Sequence, residues 1–148
     1  MGIYTGFLPT VFIIAGLDVV RFGWSEVPLL FQVLAWLGLC SSAALIFWTV
    51  ATNTFLSRYV RIQDDRGQKV VAAGPYKYIR HPMYLGILVL FLSLGPALGS
   101  CYALIPGAII DILFLIRTAK EDKTLQEELA GYQEYAQQVK YRLFPWIW

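Results

Sequence analysis

The sequence predicts an all-α protein: a polytopic membrane helix bundle of about four transmembrane helices, followed by a C-terminal cytoplasmic amphipathic helix. Three observations predict it, namely an apolar composition, four long apolar stretches and a lopsided distribution of basic residues. Of 148 residues, 57% are hydrophobic and 16% aromatic. With a mean hydropathy of +0.56, the chain is too apolar for an ordinary soluble domain. A bilayer-crossing helix needs roughly 17 to 25 mostly apolar residues. Ile3 to Val20, Val27 to Val50, Met83 to about Leu98, and Cys101 to Ile116 approach that length. The last two are short and flank Gly95-Pro96-Ala97-Leu98-Gly99-Ser100, which reads as a tight turn at the far surface or as a break inside a re-entrant hairpin.

Lysine and arginine collect in cytoplasmic loops. Of the twelve here, only Arg21 falls in the first connection, and the other eleven lie between Ala51 and Pro82 or beyond Ile116. Both termini and the long central loop are therefore expected in the cytoplasm. The net charge is +2, and the basic residues are interleaved with Asp64, Asp65, Glu121, Asp122, Glu127 and Glu128, so no nucleic-acid surface is indicated. The N-terminus lacks the basic region of a secretory signal, and the first apolar stretch reads as a retained anchor. Cys40 and Cys101 sit in apolar spans without ligand spacing. They read as small packing residues, with neither a disulfide framework nor a metal site implied.

The chain is expected to form a single integral membrane domain over 1–148, with anchor helices over 1–50 and polar loops alternating with spans over 51–148. Within the central loop, Arg61 to Val71 reads as a charged turn and a short extended piece, and Gly74-Pro75 forces a further turn. From Arg117 to Lys140 the residues Leu125, Leu129, Tyr132, Tyr135 and Val139 recur at helical spacing and predict one amphipathic helix. Its polar face is rich in acids and amides, which suits packing against the cytoplasmic loops. Phe144-Pro145-Trp146-Ile147-Trp148 has the aromatic character of an interface anchor.

The stretch from Gly74 to Gly86 crowds the only histidine and two basic side chains against the start of a span. Pro82 disfavours helix at His81 and suits the first turn of the helix that follows. Arg80 and His81 are thus expected at a cytoplasmic helix N-terminus, where free backbone N–H groups favour an anion. A second group, Arg117-Thr118-Ala119-Lys120-Glu121-Asp122, lies beyond the last span. Taken alone it reads as a surface pair, with Arg117 four residues before Glu121. The predicted layout brings both groups to one membrane face, and cations beside acids match a zwitterionic ligand. Asp18 reads as a helix-end residue near the surface, and Asp111 as a deeper acid paired with Tyr102, Ser41 or Ser42.

From about Phe47 to Trp148 the chain resembles the membrane methyltransferases that include isoprenylcysteine carboxyl methyltransferases and phospholipid N-methyltransferases. The resemblance rests on Val70-Val71-x-x-Gly74-Pro75-Tyr76-x-Tyr78-x-Arg80-His81-Pro82-x-Tyr84-x-Gly86, and on the acid pair followed by Leu125, Tyr132, Tyr135 and Pro145. It implies S-adenosylmethionine as cofactor, held by Tyr76, Tyr78, Arg80, His81, Tyr84, Gly86, Glu121 and Asp122, within the 51–148 portion. It also implies a lipophilic acceptor, either a prenylcysteine-like carboxylate or a phospholipid amine. The family's usual Glu-Glu stands here as Glu121-Asp122, and anchoring the match on Tyr132 instead would select Lys120-Glu121. For catalysis, Arg80 or Arg117 would orient a carboxylate acceptor, and Glu121 would accept a proton from an amine. Two other readings remain: an NADPH-dependent sterol-type reductase, in which Met83 and Ile87 are departures, and a non-enzymatic lipid-binding membrane protein, which has no need of the acid pair.

Overall fold

Helices make up all the regular secondary structure in the computed structural model, which describes residues 2–56 and 67–148. The charged turn expected over 61–66 lies outside these residues. Helix α1 (Gly2–Ala15) passes into a π-helical segment, Gly16–Phe22, that ends where Gly23 turns left-handed at φ 62°. Helix α2 (Leu29–Thr52) has 24 residues, and a single 3-10 turn covers Gly74–Lys77. Then come α3 (Pro82–Ala97, 16 residues), α4 (Leu104–Glu128, 25 residues) and the short α5 (Tyr132–Gln138).

Local chemistry sets these boundaries. Pro82 opens α3, where its missing N–H costs nothing, and the His81 carbonyl accepts the N–H groups of Tyr84 and Leu85. After Ala97 the chain reverses in a tight turn through Gly99, at φ 80°. The Ser100 hydroxyl then accepts the Ala103 N–H at 3.1 Å, just ahead of α4.

Several expectations need correction. The single amphipathic helix over 117–140 is interrupted between Glu128 and Tyr132, where Gly131 takes φ 80°. Its first part is the continuation of α4. Val70 and Val71 form no strand and instead pack on a tyrosine cluster. Cys40 and Cys101 are free and exposed rather than packed. Among the described residues, α2 is the one helix both long and apolar enough to cross a membrane. Helix α3 is apolar, but 16 residues reach only about 24 Å.

The fold divides into two compact units, Met1–Ala43 with Ile87–Phe114, and Ala44–Gly86 with Leu115–Trp148. In the first, Val11, Ala15, Phe91, Ala103 and Ile110 form the core. A Cβ on Gly107 would meet the Phe91 carbonyl oxygen at 3.0 Å, so glycine permits the close approach of α3 and α4. Asp18 is fully buried, in the helical segment that ends at Phe22. Its Oδ2 accepts the Ser25 hydroxyl at 2.6 Å and the Ser100 hydroxyl at 2.5 Å. Ser25 Oγ in turn accepts the Cys101 N–H at 3.1 Å, tying the π-helical segment to the α3–α4 turn. Asp111 Oδ1 is buried without a hydrogen-bond partner, in place of the expected pairing with Tyr102, Ser41 or Ser42.

The second unit is built on Tyr76, Leu129, Tyr132 and Tyr135, with Val70, Val71, Leu125, Ala136 and Val139 packed around them. The left-handed Gly131 sets α5 so that Tyr132 and Tyr135 both turn inward, their rings edge to face at 5.4 Å.

Candidate functional site

Between the 3-10 turn and α3, Pro82 keeps Arg80 and His81 out of helix, which frees their backbone to pair with another segment. The Arg80 and His81 N–H groups donate to the carbonyls of Tyr141 and Arg142, at 3.0 and 2.9 Å. The side chains of Arg80 and His81 reach a carboxylate from the far end of the unit. Arg80 grips Asp122 through Nε and Nη2, at 2.7 and 3.0 Å, and its Nη1 donates to the Val139 and Lys140 carbonyls at 2.8 and 2.9 Å. His81 Nε2 lies 3.2 Å from Asp122 Oδ1. The anion expected at this place is thus supplied by the protein itself.

Asp122 is fully buried and more heavily partnered than any ligand contact would allow. Besides Arg80 and His81, it accepts Tyr132 Oη at 3.1 Å, Gln126 Nε2 at 2.7 Å and Arg142 Nε at 2.8 Å. That is six nitrogen or oxygen contacts on a group with about four lone-pair sites. Burial by itself would raise the carboxyl's pKa, but the hydrogen bonds from His81, Arg80 and Arg142 outweigh it and hold the group well below the usual carboxylate range. Burial lowers Arg80 less than Asp122 raises it, so the guanidinium is held above its ordinary value. Burial, reinforced by the Asp122 charge, pushes the Tyr132 phenol up.

One residue earlier in α4 the arrangement is open. Tyr84 donates its hydroxyl to Glu121 Oε2 at 2.7 Å and accepts Arg117 Nε at 2.8 Å. Arg117 and Glu121 stand 3.7 Å apart, with 15% and 23% of their side chains exposed. The Arg117 guanidinium also lies over the Tyr84 ring at 5.7 Å, and the Tyr84 ring stacks on His81 at 5.8 Å. Behind them the buried Tyr76 receives Asn53 Nδ2 on its hydroxyl at 2.9 Å and Tyr135 Oη on its carbonyl at 2.7 Å. Burial pushes the Tyr76 phenol up to about 12, against the Asn53 hydrogen bond and with help from the Glu121 charge.

The family model for isoprenylcysteine carboxyl methyltransferases matches residues 33–127, a stretch that contains the Arg80-His81 segment, the Glu121-Asp122 pair and the α3–α4 hairpin joining them. The chain belongs to that family. It is thereby a member of a family of membrane methyltransferases. It is also similar to the delta(14)-sterol reductase of Mus musculus, with 29% identity over 90 residues. That match takes in 59% of this chain and spans only 22% of the mouse protein's length.

Of the residues singled out from sequence, this family member brings together Arg80, His81, Tyr84, Arg117, Glu121 and Asp122, with Tyr76 buried behind them and Gly86 buried in the first turns of α3. Tyr78 does not join them, being 67% exposed. Asn53, Gln126 and Arg142 were missed, and so were the hydroxyl roles of Tyr132 and Tyr135. The apolar periodicity identified both tyrosines as inward-facing but carried no information about their phenol groups. Arg142 lies 20 residues from Asp122, and nothing in its sequence setting announces the contact.

Proposed function

We propose that the chain is an S-adenosylmethionine-dependent methyltransferase acting on a lipophilic acceptor at a cytoplasmic membrane face. The observation that carries this reading is the partly open Glu121–Tyr84–Arg117 group beside a saturated Asp122 centre. The donor set fits the cofactor by its chemistry. Glu121 is an acceptor for an ammonium or for ribose hydroxyls and Arg117 a charged donor for a carboxylate, with the Tyr84 hydroxyl bonded to both. His81 spends one ring nitrogen on Asp122 and keeps the other for a ligand.

Arg80 and Asp122, expected to touch the ligand, act in this reading as positioning residues. Arg80 has four of its donors committed, and Asp122 has no free acceptor. Together they fix His81 and the start of α3. When bound, S-adenosylmethionine supplies a methyl group on a sulfonium, open to in-line displacement. The protein's part is to align the acceptor and keep water out. With a carboxylate acceptor no proton needs to move, and Arg117 orients the nucleophile. With an amine acceptor Glu121 takes the proton.

The supporting topology has four spans, formed by 2–22, α2, α3 and the first half of α4, with both termini in the cytoplasm as the distribution of basic residues requires. The domain is then one unit of function, anchored by 1–50 and catalytic over 51–148, and the acceptor enters sideways from the bilayer.

Titration of the purified full chain with S-adenosylmethionine and with NADPH tests the reading. Saturable binding of the first, weakened about ten- to a hundredfold by Glu121→Gln or Arg117→Met, is expected. Binding of NADPH alone would favour a reductase, the second reading, which the similarity to the mouse sterol reductase supports. Unchanged affinity in both variants would overturn the site assignment.

A further inference from the structure

The segment after α5 has two faces. Its inner face is committed to the Asp122 centre: the Val139 and Lys140 carbonyls take Arg80, the Tyr141 and Arg142 carbonyls take the Arg80 and His81 backbone, and Arg142 Nε reaches Asp122. Leu143 is fully buried beneath it. The outer face is a small closed loop. The N–H groups of Arg142, Leu143 and Phe144 converge on the Trp148 main-chain oxygen at 2.9 to 3.2 Å, while the Ile147 and Trp148 N–H groups return to the Phe144 carbonyl. The Arg142 guanidinium lies over the Trp148 ring at 5.2 Å.

At the tip, Trp146 stands at φ 65°, the one positive-φ residue other than glycine among those described. A bulky side chain in the left-handed region is strained. The strained turn leaves Trp146 86% exposed and Ile147 82% exposed, on a loop otherwise well bonded. Nothing within the loop accounts for leaving its two most exposed apolar side chains uncovered.

We infer that Trp146 and Ile147 form a membrane-interface contact, a tip that seats in the headgroup region of the bilayer and anchors the strap holding Asp122. Three observations favour lipid over a protein partner. The tip consists of two exposed side chains, far short of the roughly 800 Å² per partner of a specific protein interface. Tryptophan is the residue enriched at bilayer interfaces, where its ring and N–H are both accommodated. The tip is flanked by Tyr141, whose ring lies 6.3 Å from Trp146, and by the exposed Lys140, the amphipathic and cationic company an interface favours. Through Arg142, membrane seating and the geometry of the Asp122 centre are mechanically linked.

The test uses the full chain in phosphatidylcholine nanodiscs, with Cys40 and Cys101 replaced by serine and a nitroxide at Trp146→Cys or, independently, Ile147→Cys. Collisions with dissolved oxygen, which concentrates in lipid, are compared with collisions with a water-soluble nickel chelate, using Gln137→Cys on exposed α5 as the aqueous reference. The expected result is an oxygen-to-nickel ratio severalfold higher at 146 and 147 than at 137. A ratio equal to that at 137 overturns the inference. So does an immobile label shielded from both reagents, the signature of a protein partner. The measurement needs neither cofactor nor acceptor, so its failure leaves the methyl-transfer reading standing, and failure of that reading leaves this one standing.

Discussion

Each of the two units is pinned by a fully buried aspartate, and the two are solved differently. Asp18 rests on neutral donors, the hydroxyls of Ser25 and Ser100, and joins elements by passing their hydrogen bonds onward to the Cys101 and Ala103 N–H groups. Asp122 rests on the guanidinium groups of Arg80 and Arg142, with His81, Tyr132 and Gln126 completing the shell. A shell of neutral donors tolerates the loss of one member, because what remains is a carboxylate short of one hydrogen bond. A charged one does not, because removing the anion leaves buried cations uncompensated. The second unit has thus concentrated its stability at one carboxylate, next to the less enclosed Glu121–Tyr84–Arg117 group.

The largest effect expected from this comparison is that of Asp122→Asn, which should cost about 3 to 5 kcal/mol by stranding Arg80, seen as a large fall in melting temperature in detergent. Asp18→Asn should lower it by clearly less, since an amide oxygen still accepts from both serines. Equal losses in the two variants would break the comparison. The pH dependence carries the same test. The folded-state pKa of Asp122 is depressed, so its stabilisation is complete above the unfolded value of about 3.9 and is lost as the pH falls below that toward the folded value. The stability gap between the parent and Asp122→Asn should therefore stay flat from neutral pH down to about 5 and narrow only below about 4.

Next in size is Glu121→Gln. Its carboxylate is partly exposed and contacts Tyr84 and Arg117, so melting should change little while S-adenosylmethionine affinity falls about ten- to a hundredfold. A variant that melts like Asp122→Asn would show Glu121 to be structural after all. Of similar size, Ser100→Ala removes one of the two hydroxyl donors to the Asp18 carboxylate and should cost about 1.5 to 3 kcal/mol, measured by thermal unfolding. The smallest effect is at alkaline pH. With the Tyr76 phenol raised to about 12 from an ordinary 10.0, its contribution is intact below pH 10 and lost as the pH rises from 10 toward 12. Phenolate absorbance should accordingly lose one tyrosine's amplitude near pH 12 in Tyr76→Phe.

The sequence by itself determined that the chain is helical and apolar, that Pro82 opens a helix with His81 outside it, and that Arg80, His81, Glu121 and Asp122 belong to one constellation. These follow from properties carried along the chain: hydropathy, proline's missing N–H, and motif spacing that survives without coordinates. Only the tertiary structure decided what the members of that constellation do to one another. Glu121 and Asp122 are neighbours of like charge, and no local rule separates them. Their 100° offset around α4 turns Asp122 into the buried shell of Arg80, His81 and Arg142 and leaves Glu121 at the edge with Tyr84 and Arg117. Arg142 and Asn53 were invisible for the same reason, since each acts across 20 or more positions of chain and its partner is chosen by packing. The break at Gly131 was hidden by a periodicity that continues on both sides of it. A left-handed turn re-aims the helix while keeping the same tyrosines inward, so the pattern persists although the helix does not.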